Sequence, residues 1–161
     1  MQCIGHISNI ILLAIKNFSP YHDNLKAAGA CFGENAGFER PMWYALNGKK
    51  AEYKYSFGHQ NWYEAASHET IHSRKNVALF ELTPFAKFEL KGQNAHYELQ
   101  HLCSNNIKNT PGTTTYTQML NHYGGIEADL TVTCIEKNNY RVISGSLVRT
   151  HDKHHILSNI N

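Results

Sequence analysis

Ile126-Glu127-Ala128-Asp129-Leu130-Thr131-Val132-Thr133-Cys134 alternates without a break: every even-numbered residue is apolar and every odd-numbered one is polar. A period of two marks a strand that buries one face and leaves the other to polar surroundings. Asp129 is therefore expected to point away from the core, beside Glu127, Thr131 and Thr133. Gly124-Gly125 just upstream permits a hairpin reversal. Before it, Thr113 to Leu120 is rich in β-branched and aromatic residues and reads as a partner strand entered through the Pro111-Gly112 turn. Downstream, Lys137-Asn138-Asn139 is a turn and Tyr140 to Ser144 a further strand. Together these segments predict an antiparallel meander.

Working back toward the N-terminus, Ala95, Leu99, Leu102 and Cys103 fall at i, i+4, i+7 and i+8, one buried stripe of a helix with Asn94 available as its N-cap. Leu99 and Leu102 are expected to pack on the sheet that contains Ile126 to Cys134. Ala86 to Lys91 alternates apolar and charged residues, and Val77 to Leu82 is a short apolar run ending at Thr83-Pro84; both read as strands. Tyr63 to Lys75 lacks breakers and carries Glu64 and Glu69 early with Arg74 and Lys75 late, which suits a helix macrodipole. From Lys26 to Pro41, Gly29, Gly33 and Gly37 punctuate a stretch read as a structured loop, with Pro41 disfavouring helix at Arg40. The predicted class is α+β, an antiparallel sheet with packed helices.

With 161 residues and 42% hydrophobic content, the chain has the size of one domain or of a piece of a larger one. A formal charge of +2 with 11 histidines implies no extended basic surface, so nucleic acid is not an expected partner. The apolar run Ile10 to Ile15 is too short to span a bilayer and no positive charge precedes it. It reads as an ordinary element or a non-native start, and no membrane partner is expected. Cys3, Cys31, Cys103 and Cys134 are far apart and lack CxxC spacing, which favours a reducing compartment, the cytoplasm or alternatively the mitochondrial matrix.

Three constellations bear on chemistry. His68-Glu69-Thr70-Ile71-His72 is an HExxH on the predicted helix, where i, i+4 spacing puts both imidazoles on one face, as zinc requires. No third-ligand continuation follows it, because Ser73, Arg74 and Lys75 come next. A solvated helix face is the favoured reading, with no metal and a zinc hydrolase as the least favoured function. The glycines spaced by four do not form GxGxxG, and no serine sits in a GxSxG elbow. Asp129 stands out because aspartate is disfavoured in strands, and Tyr116 on the preceding strand offers a ring and a hydroxyl to the same sheet.

Longer motifs add a resemblance. Ala28-Gly29-Ala30-Cys31-Phe32-Gly33-Glu34-Asn35-Ala36-Gly37-Phe38-Glu39-Arg40-Pro41-Met42-Trp43 is similar to the "GAVFGxxxGxERPxW" junction of dimethylglycine and sarcosine dehydrogenases. Val77 to Phe88 resembles their "VALFDLSxFxKF", with Glu81 in place of the usual Asp. Tyr116 to Asn121 and Gly124 to Thr133 match "YTxMLN" and "GGIExDLTVT". The likeness runs from about Pro20 to Ser146.

The resemblance implies the first part of a fold like that of the glycine-cleavage T-protein. Residues 1–19 stay unassigned, 20–62 correspond to the end of the dehydrogenase central region, and 63–161 to the N-terminal part of an aminomethyltransferase-like, folate-binding domain. The implied cofactor is tetrahydrofolate, with FAD expected only on an upstream domain that this sequence does not contain. The implied reaction passes a one-carbon unit from a methylated amine to folate. In related T-proteins the aspartate before Leu in "GGIxDDL" contacts folate and assists transfer. That position is Asp129 here, while Ala128 replaces the other acid, and Tyr116 is the implied wall for the pterin or its tail. The chain is thus expected to be a fragment or subunit of a demethylating dehydrogenase, inactive by itself, with flavin and later folate lobes in the same or another chain. The alternative is a non-catalytic regulatory relative acting through protein contacts.

Overall fold

The computed structural model describes residues 17–160, and the apolar run at Ile10 to Ile15 lies outside them. The chain divides into two compact units, one ending at Pro84 and one beginning at Phe85.

In the first unit, β1 (Asn17–Phe18), β2 (Ala30–Asn35) and β3 (Phe38–Tyr44) form a sheet in the order β1-β3-β2, and α1 (His22–Ala27) joins β1 to β2. The stretch expected to be a loop between Lys26 and Pro41 is therefore largely a hairpin. Its reversal is the two-residue turn Ala36-Gly37, with φ of 54° and 80°, the pair of positive values a tight β-hairpin turn demands. Alanine is an unusual residue there, which hid the turn from composition. Pro41 is tolerated in β3 because it faces Phe32 at the bulge between Cys31 and Phe32, where the ladder is already interrupted. Gly29 is needed for a different reason: its φ is +86° and an added Cβ would lie 2.8 Å from the Ala45 carbonyl oxygen.

Tyr63–Lys75 forms α2 as predicted, burying Ala65 with Cys31 and Trp43 in a small core. Val77 to Leu82 is not a strand. It pairs with no strand among the described residues, and Val77 and Leu79 are 93% and 92% exposed. Apolar composition suits a strand but cannot replace the neighbouring backbone that a strand bonds. The segment is anchored at Glu81, whose Oε1 accepts from the Ser19 hydroxyl at 3.0 Å and the Thr83 amide at 2.9 Å.

The second unit contains β4 (Ala86–Lys91), α3 (Ala95–Leu102), β5 (Thr114–Leu120), β6 (Ile126–Glu136), β7 (Asn139–Ser144) and α4 (Arg149–Asn159). Its sheet is ordered β4-β7-β6-β5 and antiparallel throughout. The α+β class is as the sequence implied. Along β6, Ala128, Leu130, Val132 and Cys134 are buried while Asp129 is exposed, so the alternation sets the register over these residues, whereas Ile126, on the far side of the bulge opposite Met119 and Leu120, is 70% exposed. Leu99 and Leu102 of α3 join Leu130 and Val132 in one core with Met119 and Val142, and α4 adds Ile156. Asn94 stands at the N-cap of α3, but its side chain makes no capping bond. Thr110-Pro111-Gly112-Thr113 closes through the Thr113 amide and the Thr110 carbonyl at 3.1 Å, with Gly112 at φ 83°. No helix among the described residues is long and apolar enough to cross a membrane. Cys31, Cys103 and Cys134 are free and buried.

Candidate functional site

Adjacent antiparallel strands bring side chains from distant sequence positions onto one face. β5 and β6 pair Tyr116 with Thr131 and Gln118 with Asp129. Tyr116 and Asp129 are thus diagonal neighbours on the outer face, within reach of a long aromatic side chain. The tyrosine hydroxyl donates to Asp129 Oδ2 at 2.8 Å. The two candidate residues, thirteen apart in sequence, form one hydrogen-bonded unit. Tyr116 is 60% exposed, so the pair stands on an open sheet surface.

The hydrogen bond to Asp129 raises the Tyr116 pKa above its ordinary value of 10.0, since losing the phenol proton would set two negative groups against each other. Asp129 Oδ1 has no protein partner among the described residues and is open to accept from a ligand. Behind the pair, Asn105 donates its side-chain amide to the Tyr116 carbonyl at 3.0 Å and its backbone amide to the Thr117 hydroxyl at 3.1 Å. Thr114 and Thr133 join across the strands through their hydroxyls at 2.9 Å. The face therefore combines one carboxylate, one phenol and a row of neutral hydrogen-bonding groups. Such a surface can orient a flat polar ring and place a proton acceptor beside it.

Sequence reading missed a second polar group. Glu127 lies at a bulge, opposite the register shift between Met119 and Leu120. Its Oε1 accepts from Asn121 at 2.8 Å and its Oε2 faces His151 Nε2 at 3.0 Å. His151 Nδ1 lies 3.0 Å from Asp152 Oδ1, and Asp152 is fully buried. The only available signal was an acidic residue two positions before Asp129, because nothing in the sequence links position 127 to 151.

His68 and His72 do share one face of α2, with ring centroids 6.3 Å apart. They and Glu69 border a cleft of about 580 Å³ that Tyr44, Leu79 and Glu81 also line. Glu69 Oε1 accepts from the Tyr44 amide at 3.3 Å. No set of three His, Cys, Asp or Glu side chains arranged to hold a metal occurs among the described residues.

Residues 21–161 match the family model described as the GCVT N-terminal domain. Over 131 residues the chain is 37% identical to the 4-methylaminobutanoate oxidase (formaldehyde-forming) of Paenarthrobacter nicotinovorans, covering 81% of this chain and 16% of that protein. It is 35% identical over 120 residues to the mitochondrial dimethylglycine dehydrogenase of Rattus norvegicus, covering 74% and 14%. The chain thus spans about one-sixth of the length of these relatives. In fold it is similar to the glycine cleavage system aminomethyltransferase T of Bartonella henselae, with a TM-score of 0.72 at 20% identity, over 89% of this chain and 35% of that one. The resemblance drawn from the motifs and the T-protein-like fold are both borne out.

Proposed function

The chain belongs to the GCVT N-terminal domain family, and from that membership we propose that it supplies part of a tetrahydrofolate-binding, one-carbon transfer site in a flavin-linked demethylating dehydrogenase. The observation that carries the reading is the Tyr116 to Asp129 hydrogen bond on the polar face of β5 and β6. Asp129 is read as the functional carboxylate: it orients a ligand amine, accepts its proton and offsets developing positive charge. Tyr116 fixes the rotamer of Asp129 and lays an aromatic ring beside it. Bound tetrahydrofolate would provide the nucleophilic nitrogens that accept the one-carbon unit. Residues 63–161 are assigned to the folate-binding part and 20–62 to a junction with the dehydrogenase region. Three buried free cysteines suit the reducing interior of the cytoplasm or the mitochondrial matrix.

The proposal is tested in a protein that carries this segment with a flavin domain and the remaining folate lobes. Asp129→Asn is expected to leave flavin reduction by the methylated amine intact while lowering transfer to tetrahydrofolate, so that free formaldehyde accumulates. Tyr116→Phe is expected to have a smaller effect in the same direction. Unchanged transfer in Asp129→Asn, with the chain acting through protein contacts alone, would overturn the assignment.

A further inference from the structure

His151 sits between two carboxylates that belong to different elements. Its Nδ1 faces Asp152 on α4 and its Nε2 faces Glu127 on β6, both at 3.0 Å. A carboxylate only accepts hydrogen bonds, so serving both requires a proton on each ring nitrogen, and only the imidazolium carries two. A neutral ring has one donor and must give up one partner.

Burial decides which partner is kept. Asp152 is fully buried, its Oδ1 faces His151 and its Oδ2 has no hydrogen-bond partner among the described residues, so removing the bond to His151 would strand a carboxylate in the interior. Glu127 is only partly buried and is also held by Asn121. On deprotonation the remaining proton stays on Nδ1 toward Asp152, and the Nε2 lone pair is left facing the Glu127 carboxylate. The contact that breaks is the one crossing from helix to sheet.

We infer that protonated His151 is a latch that pins the first turn of α4 to the start of β6, and that loss of one ring proton opens it. Among the described residues, the charged groups facing His151 are Glu127 from β6 and Asp152 from α4, while His155, one turn further along α4, acts on Glu127 through space. The hydrogen bond to Asp152, followed by that to Glu127, raises the His151 pKa above its ordinary 6.5 against the opposing effect of burial. A raised folded-state pKa means that the stabilisation is complete below 6.5 and disappears as pH rises through the higher folded value. The latch is closed below pH 6.5 and opens as pH rises through the raised midpoint.

The test uses the 161-residue chain with labelled histidines. His151 is expected to titrate by NMR above 6.5, and Glu127→Gln to lower that midpoint. From below the His151 midpoint measured in this way to above it, amide exchange of the first turns of α4, corrected for its intrinsic pH dependence, is expected to rise about two- to fivefold in the parent. His151→Gln should abolish that rise. A His151 midpoint at or below 6.5, or a midpoint unmoved by Glu127→Gln, would overturn the inference. An identical pH response of exchange in parent and His151→Gln would overturn it too. If His151→Gln does not fold, the Glu127→Gln midpoint decides the question alone.

Discussion

Asp129 and Leu130 are neighbours in sequence with opposite environments, and substituting each in turn tests the strand register on which the site depends. Leu130 is 3% exposed and packs in the core with Leu99, Met119 and Val132. Leu130→Ala removes three buried carbon atoms, costing their transfer free energy plus that of the cavity left behind, about 3 kcal/mol in all. At roughly 2–4 °C per kcal/mol for a chain of this length, its Tm should fall by about 6–12 °C. Asp129 stands on the exposed face. Asp129→Asn keeps shape and an acceptor oxygen for Tyr116 while removing the charge, so its Tm should move by less than about 2 °C. Paired calorimetry or thermal circular dichroism gives both numbers. If Asp129→Asn fell as far as Leu130→Ala, or if Leu130→Ala were silent, the assignment of faces along β6 would be wrong.

Three further outcomes are expected. The Tyr116 phenol should ionise above 10.0 in an NMR titration of labelled tyrosines, and Asp129→Asn should bring it back toward that value; an unmoved midpoint would mean that the hydrogen bond is not formed in solution. Cys103, whose pKa burial pushes up to about 11, and Cys31, raised for the same reason, should resist alkylation near neutral pH in the native protein and react after denaturation; peptide mapping that finds either modified in the native state would contradict their burial. Ala36→Asn should raise stability by about 0.5–1 kcal/mol, because asparagine tolerates the positive φ of 54° better than alanine does. A lower urea midpoint for that variant would rule out the turn.

By itself the sequence determined the elements whose physics is local. Alternation from Ala128 to Cys134 set a register in which a slip of one residue would expose the whole apolar set, so its inward and outward faces were readable in advance, while Ile126 at the start of the strand is exposed. The stripe through Ala95, Leu99 and Leu102 marked α3 in the same way. The long matched motifs carried the family and singled out Asp129 and Tyr116, although not their contact. Tertiary structure alone decided matters that depend on partners distant in the chain. Val77 to Leu82 had a strand's composition but pairs with no strand among the described residues, while Ala30 to Tyr44 lacked a strand's usual composition yet paired with itself across Ala36-Gly37. Hydrogen bonding between Tyr116 and Asp129 required the diagonal offset of β5 on β6, and the meeting of Glu127 with His151 required α4 to return to the sheet. Periodicity records which side of an element faces the core, whereas contacts between elements depend on how the chain closes on itself, and no local pattern encodes that.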